Sequence, residues 1–391
     1  MAKRRFQLPG IQDLSKEQER VRALPLESQH LIIGGPGTGK SVMALLRARA
    51  LREEKRDYLF LVFNHLLDQA SQSLFEGQLA SRQWQSWFIS LFERVFRCKL
   101  PRLPSQPGKS FRDFDWDVIK RQSQEFESVD TDQSDKFLII DEGQDMPPEF
   151  YESLVSLEFE NFFIVADQNQ KIVDGRNSSR NDLQAALGLE PSAVIELTEN
   201  YRNQYAIARL ARCFYVHDPA SPPPDLPPSP AYEVKKPMLF RYKPNQFGPI
   251  IHRILKMADN NPRKLIGILC PDNRTRERYY DALLFETPRL DNGRPNVTTF
   301  KSGDKHRMPF DEGGVMVINA QACKGLEFDI VFIADVDEYR FEYQDRDRTK
   351  RLFYVMVARA IEHVIMLRKA GEPKPIDEII PHDNPSILEI K

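Results

Sequence analysis

Long apolar runs are missing from this chain of 391 residues: no stretch approaches the ~20 residues that a membrane-spanning helix needs. The opening MAKRRFQLPG has basic residues but not the apolar core of a secretion signal, so neither a membrane anchor nor export is expected. Cysteine is scarce as well. Cys98, Cys213, Cys270 and Cys323 lie far apart, with neither metal-like spacing nor the density of a disulfide framework. Reduced thiols in a cytoplasmic protein follow as the expectation. Positive charge is not in excess either. With 55 Lys+Arg against 57 Asp+Glu the formal net charge is −2, which argues against a protein that coats duplex DNA by bulk electrostatics. Any nucleic-acid surface has to be a local groove. Tandem repeats are absent, and so are the constellations of a protease or a cysteine nucleophile.

What is present is globular. The chain is 41% hydrophobic and 29% charged, and its length suits two or three domains. The runs YLFLVF (58–63), KFLIID (136–141) and NFFIVAD (161–167) show no polar alternation, as expected for parallel strands buried on both faces. Their partners are amphipathic stretches such as SVMALLRARALREE (41–54), which gives the order of an α/β domain with a central parallel sheet. DPASPPPDLPPSP (218–230) is too rich in proline for helix or central strand and reads as an extended linker or surface strap. The pattern then restarts with KLIGILC (264–270), VMVIN (315–319) and DIVFIAD (329–335), alongside the helix-like NRTRERYYDALLFE and TKRLFYVMVARAIE. The expectation is an α/β protein of two lobes with parallel sheets. The first covers 1–215 and carries a small helical insertion at about 70–134; a proline-rich connector covers 216–237; the second lobe with its C-terminal tail covers 238–391.

LIIGGPGTGKSVMALL (31–46) joins a buried run to a helix through a glycine-rich turn. Gly34, Gly39, Lys40 and Ser41 fit the spacing G-x-x-x-x-G-K-[ST] of a phosphate-binding loop. Glycines let backbone N–H groups converge on phosphate oxygens, so the whole segment Gly34, Gly35, Pro36, Gly37, Thr38, Gly39, Lys40 and Ser41 is the candidate ATP cradle. Lys40 can reach the β- and γ-phosphates, and Ser41 can ligate Mg2+. FLIIDEGQD supplies the complement. Asp141 ends a buried run, where it can hold Mg2+ through water, and Glu142 comes next as the group that orients and deprotonates an attacking water.

Further motifs stand in a fixed order around these: LSKEQERV upstream, VADQNQKIV and LTENYRNQ after the acidic pair, then NAQACKGLEFDIVFI and RLFYVMVARA. The ordered set resembles superfamily 1 helicases of the UvrD/Rep/PcrA type, over nearly the whole chain. The resemblance implies two RecA-like P-loop NTPase lobes, ATP with Mg2+ as cofactors, and single-stranded DNA as the partner, moved over 3′ to 5′. It also implies residue roles. Gln18 resembles the glutamine that reads the adenine edge, and Tyr201 the tyrosine beside the base. Gln170 resembles the γ-phosphate sensor. Arg202 and Arg359 resemble the two arginines that clamp the γ-phosphate, and Gly325 and Glu327 fall at nucleotide contacts of the second lobe. An arginine delivered from another lobe makes hydrolysis depend on closure, because a guanidinium stabilises charge on the transferring phosphoryl oxygens.

The sequence departs from that family in its DNA half. QKIVDGRNS lacks the aromatic residue that stacks on a base, a contact worth about 1–3 kcal/mol. FNHLLDQ replaces the usual TNKAA stretch, leaving Asn64 as a loose phosphate contact; Gln321 and Ala358 stand where histidine and threonine are common. The large accessory domain expected between Cys270 and Val315 is missing. The aromatic RQWQSWF (82–88) could restore stacking, although Trp84, Trp87 and Phe88 sit at the helical spacing of a small core. A helicase or translocase is therefore the leading expectation. The alternative is a nucleotide-switched module that binds and licenses an effector protein, such as a nuclease, in an antiviral or repair system.

Overall fold

The computed structural model describes residues 13–63, 79–105, 112–125, 136–167, 177–216, 222–232, 234–300 and 312–391. The chain begins with α1 (Lys16–Arg22), β1 (Gln29–Gly34), α2 (Lys40–Glu53), β2 (Tyr58–Val62), β3 (Ser81–Gln83), α3 (Trp84–Phe96), α4 (Trp116–Gln124), β4 (Phe137–Ile140), α5 (Pro148–Ser156), β5 (Phe162–Ala166), α6 (Arg180–Ala186) and β6 (Ile195–Leu197). It continues with α7 (Tyr205–Cys213), β7 (Met238–Tyr242), α8 (Phe247–Asn260), β8 (Leu265–Cys270), α9 (Asn273–Phe285), β9 (Val297–Thr299), β10 (Gly314–Asn319), β11 (Phe328–Ile333), α10 (Arg346–Ala358), β12 (Ala360–Lys369) and β13 (Glu389–Ile390).

The first sheet has the order β3-β2-β4-β5-β1-β6 and the second β13-β7-β12-β11-β8-β10-β9. Every pairing in both is parallel. The unalternating apolar runs are explained by helices on both faces. Leu31, Ile33, Leu61, Ile140 and Ile164 pack to one side with residues of α3 and α5. Ile32, Val62, Ile139 and Val165 pack to the other with Met43, Ala44 and Ala48 of α2. The second sheet is covered on both faces in the same way. The fold is thus α/β, with two RecA-like lobes.

Three expectations change. The stretch after residue 79 holds helices, α3 and α4, but it also contributes a strand to the lobe's sheet. β3 pairs in parallel with β2, Phe60 beside Ser81 and Val62 beside Gln83, so it forms the edge of the first sheet. α3 then docks Trp84, Trp87 and Phe88 into the lobe's core, where they meet Phe150, with ring centroids 5.1, 6.5 and 5.3 Å away. Buried against protein, these three rings are core and not a stacking platform for bases.

The boundary at 215 is also displaced. Ile207, Leu210 and Ala211 of α7, with Phe214, lie in one core with Phe353, Met356 and Val364, so α7 belongs to the second lobe. LTENYRNQ is therefore the crossing between lobes, not the close of the first. Finally, TKRLFYVMVARAIE is not helical throughout: α10 stops at Ala358, Arg359 is its C-cap, and β12 starts at Ala360. Pairing with β11 ends the helix, since Phe328 N–H donates to Arg359 O at 3.0 Å.

The proline-rich stretch is a strap. Pro224 is buried, its carbonyl accepts from Arg212 Nη2 at 2.7 Å, and Asp225 N–H donates to Thr198 O at 2.7 Å. These bonds lay the Pro224 ring directly on Gly35.

Candidate active site

The phosphate-binding loop joins the C-terminal end of β1 to the N-terminus of α2, where free backbone N–H groups and the helix dipole favour an anion. Gly37 and Gly39 hold φ of 81° and 84°, a left-handed region that favours glycine. A Cβ on Gly37 would meet Asn200 Oδ1 at 2.2 Å, so the loop also needs glycine there for close approach. Inside the loop, Thr38 Oγ1 donates to Gly35 O at 2.9 Å and Lys40 Nζ donates to the same oxygen at 2.7 Å. Lys40 Nζ also lies 3.4 Å from Asp167 Oδ2, just past β5. Burial lowers the Lys40 pKa, against the raising charges of Asp167 and Glu142.

Asp141 and Glu142 follow β4 and are both buried. Ser41 hydrogen-bonds the Asp141 side chain, so the loop and the acidic pair meet. Burial, and then the neighbouring Glu142 charge, push Asp141 up to about 6. For Glu142 burial acts upward, but Lys324, Arg359 and Lys40, with the Gln144 amide, outweigh it and hold the carboxyl below its usual range. Gln144 donates from Nε2 to Glu142 Oε2 at 2.6 Å and accepts at Oε1 from Asp167 N–H at 2.8 Å.

The second lobe closes this cluster. Lys324, after β10, donates to Asp145 Oδ1 at 2.6 Å and lies 3.9 Å from Glu142 Oε2; its side chain is only 3% exposed. Burial pushes Asp145 up to about 7 in spite of the Lys324 charge. Arg202 is ion-paired with Glu327, two residues beyond Gly325, whose φ is 78°. Arg359 is 3% exposed and near enough for its charge to act on Glu142 and on Arg202.

Lys40, Ser41, Asp141, Glu142, Arg202, Glu327 and Arg359 are therefore brought together. Tyr201 lies beside the loop, with its N–H donating to Gly37 O at 2.8 Å and its side chain 49% exposed. Gln18 is placed differently from a free adenine reader. It is buried, its Oε1 accepts from Ser15 N–H at 3.2 Å in a capping box, and its Nε2 donates to Thr38 O at 3.1 Å. Base recognition by Gln18 would have to exchange those bonds. Gln170 and Asn64 lie outside the described residues. Sequence reasoning missed Gln144, Asp145, Lys324 and Asn203, although all four sit inside the motifs that carry the family resemblance.

The donor set suits Mg-ATP: a glycine cradle, a buried lysine, and a Ser hydroxyl beside an Asp carboxylate, the hard oxygen ligands that Mg2+ takes together with substrate phosphates. With an acidic pair at the end of a parallel strand and arginines at the facing lobe, this defines a P-loop NTPase of two RecA-like lobes. Residues 17–176 match the family model described as an AAA domain, and residues 314–367 match that of the UvrD-like helicase C-terminal domain. Together the two matches indicate that the chain is similar to the UvrD-like superfamily 1 helicases.

Two similar solved structures are both helicases by description. The C-terminal domain of a possible DNA helicase from Lactobacillus plantarum WCFS1 is 17% identical, with 48% of this chain and 97% of that chain covered and a TM-score of 0.34. Arterivirus nonstructural protein 10 is 12% identical, with 93% of this chain but only 64% of that chain covered, also at a TM-score of 0.34. At such scores neither bears on the fold, which rests on the two sheets. No curated protein matches the chain. Among the described residues no helix is long and apolar enough to cross a membrane.

Proposed function

We propose that the protein hydrolyses ATP between its lobes and uses their closure to move along single-stranded DNA, 3′ to 5′, as a compact UvrD-like translocase. The observation that carries this is the convergence of second-lobe groups on the first-lobe acidic cluster: Lys324 on Asp145 and Glu142, Glu327 on Arg202, and Arg359 beside Glu142. Opening the lobes has to break those contacts, so the chemistry and the movement share the same groups.

Each residue then has a task. Lys40 binds phosphate oxygens once it leaves Gly35 O. Glu142, kept ionised by its basic neighbours, takes the proton of the attacking water, and Gln144 holds that carboxylate in place. Arg359 and Arg202 stabilise charge on the transferring phosphoryl group. Mg2+, held by Ser41 and Asp141, would offset the phosphate charge. Asp167 lies directly upstream in sequence of the segment bearing Gln170, whose family counterpart couples ATP to DNA. Grip on DNA is weak on the same grounds: the third motif has no stacking aromatic, and Trp84, Trp87 and Phe88 serve the core.

The test is steady-state ATP hydrolysis with and without single-stranded DNA at low salt, together with strand displacement on a 3′-tailed duplex. Modest stimulation and slow unwinding of short duplexes are expected. Fast processive unwinding by the chain alone would refute the weak-grip part. Turnover indifferent to DNA would favour the nucleotide-switched module acting on a partner protein. Absence of hydrolysis would remove the ATPase reading.

A further inference from the structure

We propose that Asn203 is the positioning residue for Arg359 and ties that arginine to the phosphate-binding loop; the assignment rests on the ATPase reading above. Asn203 is 4% exposed and ends the lobes' crossing turn, just before α7. Its Nδ2 donates to Ala358 O at 3.1 Å and to Ala360 O at 2.7 Å, the carbonyls on either side of Arg359. The carbonyl between them, Arg359 O, accepts from Phe328 N–H at 3.0 Å. Arg359 sits where a helix becomes a strand, and the last carbonyls of a helix have no partner within it. Three consecutive carbonyls are thus satisfied from outside, two of them by one side chain. Only the NH2 end of an amide can face two carbonyls, so its orientation is determined by its neighbours. Both of its protons are used, which leaves Asn203 no donor for a nucleotide. It acts through Arg359.

The other end of Asn203 leads to the ATP cradle. Its Oδ1 accepts from Asn200 Nδ2 at 3.1 Å, and Asn200 Oδ1 accepts from the N–H groups of Arg202 and Asn203, each at 3.2 Å. Asn200 Oδ1 also fills the space that a side chain on Gly37 would occupy, and Tyr201 N–H donates to Gly37 O at 2.8 Å. A continuous set of contacts therefore runs from Gly37 through Asn200 and Asn203 to the backbone of Arg359. The same turn carries Arg202, paired with Glu327 of the second lobe. One four-residue turn sets both arginines against the loop.

The experiment compares Asn203→Asp and Asn203→Ser in the full chain. Aspartate keeps the shape but presents oxygen to two carbonyls; serine keeps one shorter donor. A misplaced catalytic group costs roughly 100-fold in rate, so Asn203→Asp should lower kcat by about that factor while ATP Kd changes by less than about threefold. Asn203→Ser should lose about tenfold. Affinity for ADP–aluminium fluoride should fall in step with kcat, because Arg359 counts mainly in the transition state. In an Arg359→Ala background Asn203→Asp should cause no further loss. A merely structural role would lower the melting temperature and ATP affinity together and would multiply with Arg359→Ala; that result overturns the proposal. If Asn203→Asp does not fold, the serine variant decides by the same readouts. Wild-type turnover with both variants within twofold of it overturns the positioning role alone, whereas a wild-type chain without turnover removes the ATPase reading and this proposal with it.

Discussion

Replacing Gly35 by alanine should loosen the proline strap. A Cβ at that position would lie 2.2 Å from Pro224 Cγ and 2.4 Å from Cδ, against an optimum of about 3.5–4.0 Å for carbon atoms. A proline ring cannot swing aside, so strap or loop must move by more than an ångström. The strap is the easier to displace. It lacks regular structure and is held here by Arg212 on Pro224 O and by Asp225 N–H on Thr198 O, both at 2.7 Å. Gly35 O instead anchors Lys40 and Thr38 inside the loop. Overpacking costs about 1–3 kcal/mol, and each strap hydrogen bond lost adds about 1 kcal/mol. With one of the two bonds lost, the sum of about 2–4 kcal/mol corresponds to a melting temperature lower by roughly 4–16 °C for a lobe of this size. The assay is a thermal melt of Gly35→Ala, Pro224→Gly and the double variant, with ATP Kd measured on each. Pro224→Gly removes the ring, so Gly35→Ala should be nearly neutral in that background, a coupling of about 2–4 kcal/mol. ATP affinity should hold if the strap yields. A single variant melting within 1 °C of wild type, or strictly additive effects, would refute the reasoning.

Lys40→Ala and Glu142→Gln should both abolish hydrolysis but separate in binding, with ATP affinity weakened in the first and ATP trapped unhydrolysed in the second; filter binding and single-turnover assays read the difference. Arg359→Ala should remove turnover while leaving ATP Kd within about tenfold, and collapsed affinity with surviving kcat would deny it the role of a transition-state arginine. His363, on β12, is buried with neither ring nitrogen hydrogen-bonded, and burial, with the Lys235 charge next, lowers its pKa from 6.5 to about 4. The folded state therefore binds that proton later than the unfolded chain does. The contribution to stability is intact above about pH 6.5 and lost as pH falls toward 4, about 2 kcal/mol by pH 5; urea titrations should show His363→Leu lacking that component. Trp87→Ala, emptying a core site, should cost about 3–5 kcal/mol in denaturant titration, and a loss confined to DNA-stimulated turnover at unchanged stability would contradict its place in the core.

How much was legible in the sequence depends on the range of the forces involved. The strand, glycine turn and helix at 31–46 and the acidic pair ending a buried run at 141–142 are local: spacing and backbone freedom within a few residues define them. The two parallel sheets follow likewise from unalternating apolar runs between amphipathic helices. The rest was decided by tertiary contact. Apolar periodicity records that a face is buried but not against which neighbour, so Ile207 and Phe214 on and just after α7 could equally have closed the first lobe; only a core shared with the second lobe, where Phe214 meets Phe353, assigns them to it. RQWQSWF has the composition of a stacking platform and became core because Phe150 stands opposite it. α10 stops at Ala358 because β11 is there to pair with the residues from Ala360 onward. Lys324 meets Asp145 across 179 residues, and Asn203 meets the carbonyls around Arg359 across 155 and 157. No local signal encodes such partners, because a buried amide or ammonium is satisfied by whatever the folded chain brings within about 3 Å of it.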